Sequence, residues 1–187
     1  MLLEGILALA FGFSTDFADL LDEHGLKWFR GADIAWGVAW GLAGSLMMVV
    51  YHPASILIVG LLLYWIAVKK IDYLNHQIAA VIILFTAGWQ IYRGEFDFIL
   101  TGVYFLLCLA FGLFNSFLKK KYGLLPFVSI RHYIPALLLS VYTGNWNFVL
   151  IHILTMAGFT ISDRWFLWFE KKKDFGYMKD LGLRIEK

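Results

Sequence analysis

Along 187 residues the chain keeps returning to apolar runs of about the length that crosses a bilayer, and the stretches between them are short. A transmembrane helix needs about 20 mostly apolar residues, within a range of roughly 17–25. By that measure the sequence predicts helices over Leu2 to Leu21, Ala32 to Tyr51, Pro53 to Val68, Ile71 to Tyr92, Phe96 to Leu118, Leu124 to Tyr142 and Trp146 to Phe169. The expectation is an all-α polytopic transmembrane bundle of seven spans. Six spans plus a re-entrant first segment is the alternative, because the lower third of that segment is acidic. Composition closes off other classes. Hydrophobic residues make up 60% and charged residues 16%, whereas soluble domains carry about 45–50% and about 25%. A chain this apolar does not remain disordered. A lone Cys108 in an apolar run excludes a disulfide scaffold, and a net charge of +2 offers nucleic acid no electrostatic footprint.

The links are short enough to predict that sequential helices are antiparallel neighbours. His52-Pro53 breaks the chain between the second and third spans, and Tyr142-Thr143-Gly144-Asn145 is a turn cluster between the sixth and seventh. No linker, low-complexity tract or repeat divides the chain. Residues 1–169 are expected to form one bundle and residues 170–187 a short basic cytoplasmic tail.

Orientation follows from the distribution of Lys and Arg around span ends. Lys27 and Arg30, Lys69 and Lys70, Lys119 to Lys121, and the tail from Lys171 fall on alternate connections, hence on one side, while the other side has Arg93 alone. The expected location is a cell membrane, multi-pass, with a cytoplasmic C-terminus and the N-terminus outside. The N-terminal segment lacks a basic n-region and carries Glu4, which argues against a cleaved signal peptide. Trp165, Phe166, Trp168 and Phe169 read as an interfacial aromatic belt.

Ionisable residues are costly in a bilayer, so their positions point to function. They gather at the cytoplasmic ends. On a helix, Asp16, Asp19 and Glu23 share a face. Carboxylates at a helix C-terminus oppose its dipole and call for a cation, and oxygen ligands suit Mg²⁺ or Mn²⁺. The competing reading makes Asp19, Asp22 and Glu23 a solvated loop paired with Lys27 and Arg30. Asp33 reads as a first-turn acid. On the fourth span Asp72, Asn75 and His76 share a face beside Lys69 and Lys70, a pattern able to hold a metal ion and a phosphate. Its plainer reading is an N-cap Asp72, a hydrogen-bonded His76 and two topology markers. Arg131 lies about 10 Å into the sixth span by helical rise and is expected either to pair with Asp163 of the seventh span or to meet a substrate anion. Pro126 and Pro135 flank it. A haem bound by two of His52, His76, His132 and His152 has no support from spacing. Gly37, Gly41, Gly44 and Ser45 form a small-residue face that reads as close packing within the bundle.

No P-loop, dinucleotide fingerprint, nucleophile elbow or zincin helix occurs in the sequence. The full aspartate-rich motifs of intramembrane prenyltransferases and CDP-alcohol phosphotransferases are lacking too, so neither family is assigned. The leading expectation is a membrane-embedded enzyme acting on a phosphorylated lipid or isoprenoid at the cytoplasmic leaflet. Asp16, Asp19 and Asp72 would hold a divalent cation, Arg131, Lys69 and Lys70 would contact phosphate oxygens, and His76 and His132 would serve as acid–base groups. The alternative is a small transporter or cation-conducting protein that uses the same acids as a vestibule, and the third reading is a non-catalytic membrane scaffold subunit. The expected partners are the bilayer and a phosphorylated lipid, with no nucleic acid.

Overall fold

The computed structural model describes residues 2–22, 29–122 and 130–173, with the side chains of 22, 118–122, 130–132 and 167–173 outside the description. Every regular element among them is α-helical: α1 (Leu2–Asp22), α2 (Ala32–Val50), α3 (Ala54–Ala67), α4 (Leu74–Tyr92), α5 (Phe98–Tyr122), α6 (Ile130–Thr143) and α7 (Asn147–Lys173). Among the described residues, three stretches are long and apolar enough to cross a membrane: α2, α4 and Phe98–Phe117 of α5. The fourteen residues of α3 reach only about 21 Å at about 1.5 Å per residue.

The breaks fall where local chemistry predicts. Pro53 takes the N-cap of α3 at φ −60°, a value the proline ring imposes anyway. Gly144, at φ 69°, turns the chain between α6 and α7. The end of α3 is less ordinary. Lys70 N–H donates to Trp65 O (2.8 Å) and Lys69 N–H to Ile66 O (3.1 Å), the paired bonds of a Schellman turn. That turn needs a left-handed residue, usually glycine, and here it is Lys69 at φ 59°. As a result α4 begins at Leu74 rather than at the expected Ile71, with extended Tyr73 as its N-cap.

The expectation that sequential helices are neighbours holds only in part. Contact is most extensive between α1 and α7, α2 and α4, and α1 and α2, while α3 touches α2 and α4 sparingly and packs on α5 instead. The reason is steric: helices meet most closely where small residues let their backbones approach. A Cβ added to Gly12 would collide with the backbone oxygen of Thr155 on α7, and one added to Gly158 would collide with Leu9 O and lie 2.7 Å from Phe13 N. One added to Gly37 would lie 2.6 Å from Asn75 O, and one on Gly41 would lie 2.9 Å from Ala79 Cα. Ser45 Oγ then donates to Ile82 O (3.2 Å). The small face of α2 is thus a seam within the bundle, and it fixes α4 against α2.

These pairings bring one set of helix ends together. Phe17 of α1 packs against Trp36 of α2 (4.6 Å between ring centroids) and Trp165 of α7 (5.4 Å). Phe17, Leu20, Leu21, Ala32 and Phe166 form an apolar cluster apart from the main core. It lies under the acidic end of α1. At the opposite end Asn145 Nδ2 donates to Tyr51 Oη (2.5 Å), and Glu95 receives Arg93 Nη2 at 2.8 Å and lies 3.5 Å from His52 Nδ1.

A candidate functional site at the ends of α1 and α4

The seam between α2 and α4 ends at Asn75, and Asn75 builds the site. Its side chain is fully buried. Nδ2 donates to Ala18 O at the end of α1 (3.0 Å), and Oδ1 accepts the backbone N–H of His76 (2.6 Å). One amide therefore fixes the last turn of α1, the first turn of α4 and, through its contact with Gly37, the start of α2. Only a residue without a side chain at position 37 admits it. An amide buried this deeply has to be satisfied on both of its atoms, and both have partners here.

Clamped in this way, Asp19 and His76 meet. His76 Nε2 lies 2.8 Å from Asp19 Oδ1, with the imidazole 4% and the carboxylate 35% exposed. The other ring nitrogen, Nδ1, lies 2.9 Å from Lys70 O, the carbonyl that leaves the Schellman turn. Asp72 Oδ1 is 3.6 Å from the same nitrogen, on a side chain 57% exposed. Trp40 and Tyr73 stand edge-on to the imidazole at 5.4 and 5.6 Å. The strained Lys69 thus sits one residue before the carbonyl that anchors the ring, the kind of place where proteins keep strain.

Asp16 is three residues above Asp19 on α1, half-buried, with Ser162 and Asp163 of α7 as its neighbours. Its Oδ2 and the Ser162 Oγ are both shielded from solvent without completing a hydrogen bond among the described residues. Of the expected metal set, Asp19 and Asp72 therefore converge on the His76 ring, while Asp16 faces α7. Among the described residues no three His, Cys, Asp or Glu side chains gather so as to hold a metal ion. Asp72 does not cap α4, because that position belongs to Tyr73. Asp33 is in the first turn of α2, as expected. Lys69 and Lys70 are exposed, in the turn whose carbonyl meets the His76 ring. Glu23 and Lys27, and the side chains of Arg131 and His132, lie outside the described residues, and with them the Arg131–Asp163 contact.

His76 differs from its expected role in one respect. Both ring nitrogens are engaged, so proton transfer from His76 straight to a substrate would first break a bond that holds it. Asp19 has the open side, since only Oδ1 is committed among the described residues. Sequence reasoning placed Asn75 on the right face but gave it no task. It missed the Lys70 carbonyl, which no side-chain pattern announces. No protein-family model matches the chain, and neither curated proteins nor solved structures give a match.

Proposed function

We propose that the chain is an integral membrane protein whose seven helices cross a cell membrane, with the Asp19–His76 end at the cytoplasmic leaflet, and that it is an enzyme acting on a phosphorylated lipid or isoprenoid. The observation that carries this reading is the buried imidazole locked on a partly exposed acid 2.8 Å away, with two exposed lysines in the adjoining turn. Lysine ammonium groups meet phosphate oxygens as point charges. A proton-exchanging carboxylate beside them suits the breaking or making of a phosphate ester. The apolar part of the substrate would stay between helices, in lipid. Arg131 and His132 keep their expected roles at the same end. A Mg²⁺ or Mn²⁺ ion arriving with the phosphate belongs to this reading, and activity that survives chelation would remove it.

Native mass spectrometry of protein released from its own membrane tests the binding half. The expected spectrum shows a retained phosphorylated lipid that is lost in the Lys69→Ala, Lys70→Ala double variant. Bare protein, or the same lipid in both, would count against the reading. Sidedness is separable, because the native Cys108 is buried. Lys70→Cys should react with an impermeant thiol reagent from the cytoplasmic side and Arg93→Cys from the other.

A second reading, a small transporter or cation-conducting protein, draws on the opposite end. There Glu4, Tyr51 and Asn147 share a small cavity of about 20 Å³ with Gly5, Leu150, Ile151 and Leu154. Buried Thr155 follows the cavity's Leu154 on α7, on the side toward Ser162 and Asp163 beside Asp16. Cation flux into proteoliposomes that falls in Asp16→Asn would favour this reading.

A further inference from the structure

The seam between α1 and α7 is tightest at two glycines and turns polar one helical turn later. A Cβ added to Gly158 would lie 3.1 Å from Gly12 Cα, so the two backbones touch there. Leu154 meets Gly5, while Thr155 and Gly158 meet Gly12. The register therefore advances along both helices, which run parallel. Residues four apart share a helix face. Asp16 follows Gly12, and Ser162 follows Gly158, onto the same seam. Asp163, the next residue of α7, adds a second carboxylate beside Asp16.

These groups do not satisfy one another. Ser162 is fully buried and neighbours the Asp16 carboxylate, yet its Oγ closes no hydrogen bond among the described residues. Asp16 Oδ2 is shielded from solvent and equally without one. Buried oxygens left in this state are costly. The two carboxylates repel each other, and no Lys or Arg among the described residues is a neighbour that offsets them at Asp16. The C-terminal end of α1 adds partial negative charge of its own. A cation held among the three side chains removes all of these costs together.

We infer that Asp16, Ser162 and Asp163 form a binding site for a divalent cation of the Mg²⁺ class, separate from the Asp19–His76 pair. Every donor is an oxygen, which suits Mg²⁺ and Mn²⁺. A double positive charge balances two carboxylates. Mg²⁺ commonly binds through one or two carboxylates and keeps several of its waters, and the exposed side of Asp163 gives them access. With a hydroxyl and water completing the set, the site needs no third acid or histidine. The ion joins the end of α1 to α7, one turn beyond the contact of their backbones. It rests on neither the enzyme nor the transport reading.

The probe is Mn²⁺ alone, added to chelator-washed protein in phosphatidylcholine nanodiscs. Bound ion is counted by electron paramagnetic resonance, and its ligands are read by electron spin-echo modulation. Wild-type protein should hold a Mn²⁺ ion with no coupling to nitrogen. Asp16→Asn should lose that ion and Asp19→Asn should keep it. Ser162→Ala should weaken binding about tenfold or more, the scale of losing one partner around a metal, and this variant decides if Asp16→Asn does not fold. No Mn²⁺ on folded wild-type protein would overturn the inference. So would a single bound Mn²⁺ whose nitrogen coupling disappears in His76→Gln, or binding unchanged in both Asp16→Asn and Ser162→Ala. Lipid turnover is read separately, so either result leaves the enzyme reading to its own test.

Discussion

Helix α4 has two unlike sides. Toward α2 it is held at backbone contact: Gly37 against Asn75, Gly41 against Ala79, Ser45 bonded to Ile82 O, and Gln90 Nε2 donating to Met48 O at 2.8 Å. Toward α5 it stands clear, and a cleft of about 310 Å³ opens over Val59, Leu63, Leu84, Gly88 and Gly102. A Cβ added to Gly88 or Gly102 would meet nothing within 4 Å. In a bilayer, where lipid tails are as apolar as the residues facing that cleft, no hydrophobic force would close it. Close backbone contact and polar bonds hold membrane helices together, and they lie on the side that ends in the site. Precision is kept where Asp19 and His76 have to meet.

Substitutions at the glycines should break this contrast most visibly. Gly12→Val in the α1–α7 seam drives a branched side chain into the Thr155 backbone. It should cost about 3 kcal/mol or more, seen as a lost or greatly lowered unfolding midpoint in mild detergent. Gly37→Ala pushes against Asn75 and should cost about 1–3 kcal/mol, and it should weaken whatever activity the site supports. Asn75→Ala leaves Ala18 O and the His76 N–H without their buried partner, at about 1–3 kcal/mol. The same Gly→Ala change at Gly88 should do the reverse and stabilise α4 by about 0.5–1 kcal/mol through helix propensity alone. If Gly37→Ala and Gly88→Ala shift the midpoint alike, the two-sided description of α4 is wrong.

The smallest effect on stability is the most instructive. Lys69→Gly relieves a left-handed lysine and should gain at most about 1 kcal/mol while lowering affinity for a phosphorylated lipid. A gain in stability together with a loss of binding would show that Lys69 is kept for its charge. Unchanged binding would reduce it to a topology marker.

How much of this was legible beforehand depended on the kind of signal. Runs of apolar residues gave seven helices with most ends within a few residues, because an apolar helix leaves a compositional trace over its whole length. Helix pairing did not follow from link length. It depends on where small residues fall, and Gly5, Ala8, Gly12 and Thr15 already recur at heptad spacing on α1. That stripe is readable in the chain, although its partner on α7 is not. At the site, Asp19, Asp72 and His76 stood out because ionisable groups are expensive in a membrane. Spacing along one helix could not show that Asp19 would reach across to α4 while Asp16, three residues earlier, turned to α7. The Lys70 carbonyl left no trace, since every residue has one.

The most direct test of the central claim is turnover by purified protein in proteoliposomes. Phosphatidic acid, a CDP-activated lipid and a polyprenyl diphosphate would be offered in turn, with products followed by mass spectrometry with and without a chelator. The account predicts conversion of one of these substrates, reduced at least a hundredfold in Asp19→Asn at unchanged folding. No conversion of any of them by folded wild-type protein, or full activity in Asp19→Asn, would contradict it.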